Sequence, residues 1–204
     1  MIPRLTAGSP RLQHQIKFIL EVDKAKGILR STHVSVADRR ENDGEHAWHV
    51  ALIALVLAEY APPETDLLRV IAMLLLHDIV EIDAGDVNVY DAEARVGQPA
   101  RERRAADRIY GLLPSEQGLE FRKLWEDFEA RESPEARFAA SIDRLQPLLL
   151  NYHTQGATCR DREVTRAQVL AVNAHIADGS QELWELARAV IDDAREHGYL
   201  KGLG

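Results

Sequence analysis

Apolar residues recur along the chain at i, i+3, i+4 and i+7, the spacing of helices that bury one face, and no convincing run alternates with period two. The pattern predicts an all-α protein. A first helix from about Leu12 to Ala25 puts Leu12, Ile16, Ile19 and Leu20 on one face, with Gly27 near its end. After the polar segment STHVSVADRRENDGE, a second helix from about Glu45 to Tyr60 carries the stripe His46, Val50, Ile53 and Leu57, and Pro62 and Pro63 stop it. A third, from about Asp66, lines up Val70, Leu74 and His77, with Ile71, Leu75 and Asp78 on the neighbouring line. The acid-rich stretch DAGDVNVYDAEARVGQPA then reads as a loop with room for a short helix.

Further helices are expected from about Ala100 to Tyr110, Glu116 to Ala130 and Pro134 to Tyr152. In the last, Ser133 is the N-cap, Pro134 takes the first helical position, and Phe138, Ile142, Leu145 and Leu149 form the core stripe. Pro147 should kink it. Helices from about Arg166 to Asp178 and Gln181 to His197, parted by Gly179 and Ser180, complete the chain. Trp125, Phe128 and Phe138 sit at helix-face spacing and belong to the core rather than to a base-stacking platform.

Length and composition narrow the class. The 204 residues suffice for one domain, with a core over about residues 12–152 and C-terminal helices over about 165–197 packed on it. A hydrophobic fraction of 46% beside 28% charged residues is that of a soluble globular protein. The net charge of -8 argues against coating a nucleic acid polymer or an anionic membrane by bulk electrostatics. Cys159 is the single cysteine, so no intramolecular disulfide forms. The N-terminal MIPRLTAGSP lacks a basic region followed by an apolar one, and the greasy runs VALIALVLA and VIAMLLL are too short to span a bilayer. A cytoplasmic location is the expectation.

The candidate chemistry lies where apolar stripes end in polar residues, above all in LLLHDIVEIDAGD, Leu74 to Asp86. A lone histidine on an apolar helix face usually satisfies a backbone carbonyl. Here three helices each place a metal-capable side chain on or beside the buried stripe: His46, then His77 and Asp78, then Asp143. Buried ionised aspartates need a cation or several donors. Two imidazoles and two carboxylates suit a borderline divalent ion such as manganese, iron, cobalt, nickel or zinc better than calcium. A bound cation lowers the pKa of its water, which is then the expected nucleophile. Glu81, three positions after Asp78, projects from the same side if the helix continues, and is assigned to proton transfer or to holding that water. Asp86, behind Gly85, orients the nucleophile, binds a substrate hydroxyl or simply caps a turn. Asp83 reads as a surface or capping acid, and His49 as a packing or supporting group beside His46.

The ordered set EH, HD with a glutamate three residues later, GD, and a later helical aspartate resembles the HD-domain metal-dependent phosphohydrolases. The segments REND-GEHAWHVALIALVLAEY, MLLLHDIVEIDAGD, LLP before LWEDFE, and SPEARFAASIDRLQPLLLNY resemble the branch related to the 5'-deoxynucleotidases. The resemblance implies a helical HD-domain bundle, commonly a homodimer, with one divalent metal ion (Mn, Co, Fe, Ni, Zn or Mg) on His46, His77, Asp78 and Asp143. It places Glu81 and Asp86 in catalysis and substrate binding, and implies hydrolysis of a small phosphomonoester, classically a deoxynucleoside 5'-monophosphate. Where the better-characterised nucleotidases carry an arginine-tryptophan pair after the first helix, this chain has DKAKGILR. Lys24, Lys26 and Arg30, with Arg39 and Arg40, are therefore the candidate phosphate contacts; Lys26, Arg30 and Arg40 lead the set. Two other readings stay open: a phosphodiesterase or pyrophosphohydrolase acting on a signalling nucleotide or nucleoside triphosphate, and a non-catalytic nucleotide-binding protein stabilised by its metal.

Overall fold

Helices dominate the computed structural model, which describes residues 8–201; the segment MIPRLTA, used above to read the N-terminus, lies outside them. In chain order they are α1 (Pro10–Val22), α2 (Asp43–Val56), α3 (Leu67–Leu76), α4 (Glu81–Ala84), α5 (Gln98–Tyr110), α6 (Ser115–Ala130), α7 (Pro134–His153), α8 (Ala157–Asp161), α9 (Arg166–Asn173), α10 (Ile176–Gly179) and α11 (Gln181–Glu196). The fold is all-α with one small antiparallel hairpin, β1 (Leu29–His33) and β2 (Arg40–Asn42), between α1 and α2. No helix of the described residues is long and apolar enough to cross a membrane.

α7 is the axis. It packs against α2, α3, α6, α10 and α11, and Ala136, Phe138, Ala139, Ala140, Ile142 and Leu145 are buried around most of its circumference. Its start is as expected, with Ser133 accepting from the Ala136 amide ahead of Pro134. Pro147 lies inside the helix without ending it. α10 comes unusually close: a Cβ on Gly179 would sit 2.3 Å from Ser141 Oγ and 2.4 Å from the Arg137 carbonyl oxygen, so only glycine fits there. Trp125, Phe128 and Phe138 are core residues, and the Cys159 thiol is buried.

Several expectations need correction. The hairpin escaped the search for period two because its inward residues are Arg30 and Thr32, which carry no apolar alternation. The stripe assigned to α1 is outward: Leu12, Ile19 and Leu20 are exposed, while Phe18 and Glu21 are buried. Phe18 packs on Tyr110 and Phe121, and Glu21 binds Arg108, so one aromatic and one ion pair set the rotation of the helix. On α2 the fully buried positions are His46, Val50 and Ala54, while Ile53 and Leu57 are only partly covered. The helix expected over about Arg166 to Asp178 is broken into α9 and α10.

The third helix does not continue through Glu81. α3 ends at Leu76, whose carbonyl accepts from the Tyr110 hydroxyl at 2.9 Å, and His77–Val80 tighten into a 3-10 turn before α4. Gly85, at φ 77, then turns the chain so that Asp86 faces back toward α2 and β1.

Candidate metal centre

Two helices, one turn and the hairpin converge on a single buried point. α2 is started by a capping box: the Asn42 side chain accepts from the Glu45 amide, and Glu45 accepts from the Asn42 amide. That start fixes Asp43 and, one turn on, His46 on the inward side of the helix. The turn after α3 brings in His77, Asp78 and Glu81; α7 brings Asp143 and, three positions later on the same side, Gln146.

Both imidazoles point Nε2 at the same place. His46 Nε2 is 3.0 Å from Asp143 Oδ1 and 3.6 Å from Asp78 Oδ2, and His77 Nε2 is 3.4 Å and 3.0 Å from the same two oxygens. Their opposite nitrogens are held. His77 Nδ1 donates to the Leu74 carbonyl at 2.9 Å, and His46 Nδ1 donates to Gln146 Oε1 at 3.1 Å. Gln146 is itself fixed by donating to Glu41 at 2.6 Å, with His49 Nδ1 3.1 Å away. A donor on Nδ1 leaves the Nε2 lone pair free, which is the tautomer a metal requires. His77 Nε2 is buried with no hydrogen-bond partner. His46, His77 and Asp143 therefore fit a divalent ion in residue type, burial and spacing, all three ligand atoms lying within 4.8 Å of one another. Asp78 stands against this set and also belongs to a second one, with Asp43 and Glu81, that meets the same spacing.

Charge is concentrated here. Burial alone would neutralise Asp78 and Asp143, but the neighbouring histidines with Arg30 and Arg144 hold both carboxyls below the ordinary range. Burial works against a charged His77 too, yet Asp78 and Asp143 raise it well above its ordinary value. Burial and then Asp78 raise Glu81 well above the usual carboxylate range and push Asp43 up to about 7. Asp86 is raised by burial, with the Arg30 charge and the Ser31 amide opposing. Arg30, nearly buried, pairs with Asp78 and lies 3.5 Å from Asp43 Oδ1 and 3.9 Å from Glu41 Oε2.

Of the residues singled out in the sequence, His46, His77, Asp78, Asp143, Glu81, Asp86 and Arg30 are brought together. Lys26 and Arg40 are not. Lys26 is exposed and pairs with Asp23, and Arg40 faces solvent from β2; Lys24 pairs with Glu21 and Arg39 with Glu45. Asp83 sits at the surface against Arg108. Glu41, Asp43 and Gln146 were missed. Gln146 and Asp43 each lie three residues from a recognised ligand candidate, a helical spacing that could have found them had α2 been started at Asp43.

Buried imidazoles and carboxylates converging within a helical bundle define a metal-dependent hydrolase. The comparisons make the class specific. The HD domain family model matches residues 22–184, and the chain belongs to that family. It is a metal-dependent phosphohydrolase. A crystal structure described as a predicted metal-dependent phosphohydrolase from Magnetospirillum magnetotacticum is 48% identical, covers 99% of this chain and 100% of its own, and superposes with a TM-score of 0.91. The Bos taurus protein named 5'-deoxynucleotidase HDDC2 is 26% identical over 72% of this chain and 71% of its own length. Its Homo sapiens counterpart is 27% identical over 66% of this chain and 65% of its own.

Proposed function

We propose that this chain hydrolyses a small phosphomonoester, a (deoxy)nucleoside 5'-monophosphate, at a centre where His46, His77, Asp78 and Asp143 hold one divalent ion. It does so as a single domain, the C-terminal helices packing on α7 and one another. The observation that carries the substrate reading is a cleft beside the centre, lined by Arg30 and Asp86 together with Tyr90, Leu148, Asn151 and Val169. It mixes apolar walls with a few convergent polar groups, the lining of a small-molecule site. The name of the HDDC2 relatives supports the same substrate class.

A divalent ion in this centre supplies Lewis acidity, lowering the pKa of water and drawing charge from a phosphoryl oxygen. The chain's own groups do the rest. His46 and His77 keep their Nε2 lone pairs turned to the centre because Gln146 and the Leu74 carbonyl occupy their other nitrogens. Glu81 is a part-buried carboxyl with one buried, partnerless oxygen, and burial beside Asp78 raises its affinity for a proton, which suits it to take one from water and pass it to the leaving alcohol. Arg30 lends a fixed positive charge to the cleft for a phosphate, and Asp86 beside it offers an acceptor to a substrate hydroxyl.

A panel of nucleoside monophosphates, diesters and triphosphates, assayed with metal-loaded protein and with Glu81→Ala, tests this. Preference for monophosphates with turnover lost in Glu81→Ala supports it. Cleavage of diesters or triphosphates alone transfers the same centre to the phosphodiesterase or pyrophosphohydrolase reading, and no turnover of any phosphate ester leaves a metal-stabilised binding protein.

The chain is also read as a homodimer. Trp48, Leu52, Leu55 and Val56 are exposed on the outer side of α2, and Trp48 shares an apolar groove with Ile19 and Leu75. Sedimentation should give a dimer that Trp48→Glu weakens; a wild-type monomer at tens of micromolar contradicts it.

A further inference from the structure

α7 presents two faces to the site. Asp143 and Gln146 meet His46 in the metal centre, whereas Arg144, Pro147, Leu148 and Asn151, spaced i, i+3, i+4 and i+7, line the neighbouring cleft. Arg144 begins that cleft-facing stripe one residue after a candidate metal ligand, a rotation of about 100° round the helix. Among the described residues the cleft lining holds two cations, Arg30 and Arg144.

The two are committed differently. Arg30 is enclosed by carboxylates: it hydrogen-bonds to Asp78, lies 3.5 Å from Asp43 Oδ1 and 3.9 Å from Glu41 Oε2, and its side chain is 10% exposed. Arg144 meets a single carboxylate oxygen, Asp143 Oδ2, through Nε at 3.4 Å and Nη2 at 3.3 Å, and its side chain is 22% exposed. Those contacts are long beside the roughly 2.7–2.9 Å of a charge-assisted hydrogen bond, and Nη1 makes none to the described residues. Most of the five N–H donors of the Arg144 guanidinium are therefore still available in the cleft. Asp143 Oδ1 is the oxygen that approaches both imidazole Nε2 atoms, so Arg144 on Oδ2 leaves that side open for a cation.

We propose that Arg144 binds the substrate's phosphoryl group and bridges it to Asp143, while Arg30 adds its charge from among the carboxylates without leaving them. This rests on the phosphomonoester reading of the same site. A phosphate monoester brings up to about two negative charges, and a divalent ion between Asp78 and Asp143 is already neutralised by its own ligands. A further cation is needed, and it has to reach the cleft. Lys26 and Arg40 do not; Arg144 does, from the residue beside Asp143. The planar guanidinium suits the double task, since one edge can keep the carboxylate while the other takes the phosphate oxygens, which a lysine ammonium cannot do in the same geometry.

Inorganic phosphate is the probe, titrated calorimetrically into metal-loaded wild type, Arg144→Met and Arg144→Lys, with metal content measured on each. Arg144→Met should keep its metal and weaken phosphate binding by about tenfold or more, the worth of a charged hydrogen bond. The KM for a phosphomonoester should rise by a similar factor with a smaller change in kcat. Arg144→Lys should fall between the two, and methylguanidinium added to Arg144→Met should restore part of the phosphate affinity. If Arg144→Met does not fold, Arg144→Lys carries the test, and an affinity equal to wild type counts against the bridge. Phosphate bound as tightly by Arg144→Met as by wild type overturns the proposal, as does a wild type that binds no phosphate. Metal lost from Arg144→Met, with phosphate affinity back to the wild-type value once metal is restored by excess, would make Arg144 only a support for Asp143. The substrate reading fails separately: a wild type that binds phosphate through Arg144 yet hydrolyses no nucleoside monophosphate sinks that reading and keeps Arg144, whereas nucleotide turnover by Arg144→Met with an unchanged KM does the reverse.

Discussion

The two sides of Asp78 are built differently. On one side, His46 and His77 are held at Nδ1 by Gln146 and the Leu74 carbonyl, and Asp143 accepts from Arg144 through Oδ2, so the ligand geometry is already held by the protein. On the other side Asp43 and Glu81 face each other with partnerless oxygens and only Arg30 to balance them. The first side is rigid because each polar group except the lone pairs aimed at the centre has a partner. The second holds together by charge, and it will respond most to whatever changes that charge.

Breaking the first side should have the largest effect. His77→Ala or Asp143→Ala should remove the metal and lower turnover by about a thousandfold or more, since residues that act as a unit fail together. Metal analysis alongside kinetics checks it, and a variant that keeps both metal and activity refutes the ligand assignment. On the second side, Arg30→Met should destabilise the metal-free protein by about 3–5 kcal/mol, because its departure leaves buried carboxylates uncompensated. Urea denaturation should show a smaller loss once metal is added; equal losses with and without metal would mean that Arg30 acts by packing alone.

Gln146→Ala probes the support behind His46, and removing such a partner typically weakens metal affinity by about 10–100-fold. Equilibrium titration measures it, and unchanged affinity would show that the imidazole needs no such anchor.

The two sides also share a pH response. Asp43 lies near 7 in the folded metal-free chain against an ordinary 3.8, and His77 lies well above 6.5. Each then holds more proton folded than unfolded as pH rises from 6 to 8, so metal-free stability should fall across that window. Asp78 and Asp143, lowered on folding, stay ionised throughout it and add no slope. Metal binding should reverse the trend by displacing those protons. Denaturation at pH 6, 7 and 8 tests both signs, and a flat metal-free profile would show that neither group carries its raised pKa. The smallest effect belongs to Asp83→Asn, which breaks a surface pair with Arg108 and should cost no more than about 1 kcal/mol with turnover unchanged.

Legibility differed in the same way. The helices that carry the histidine side were readable because their apolar stripes are long, and His46 and His77 lie in line with Val50, Val70 and Leu74. The α1 stripe misled because period alone cannot say which elements of the chain cover an apolar face, and Leu12, Ile19 and Leu20 are left exposed. The hairpin was hidden because its inward positions are polar, and with it went the one element that delivers Arg30 to the carboxylates.

The sequence by itself determined the helical class, the capped start of α7 and which residue types were available to hold a cation. Those depend on local spacing, which a chain carries wherever it folds. Only the tertiary structure decided that Glu81 reaches Asp78 through a 3-10 turn rather than a continuous helix, that Gln146 stands behind His46, and that Asp43 rather than Lys26 or Arg40 faces the centre. Those are set by packing: the Tyr110 hydroxyl takes the Leu76 carbonyl and α7 crosses α2, contacts between residues far apart in the chain that no local pattern encodes.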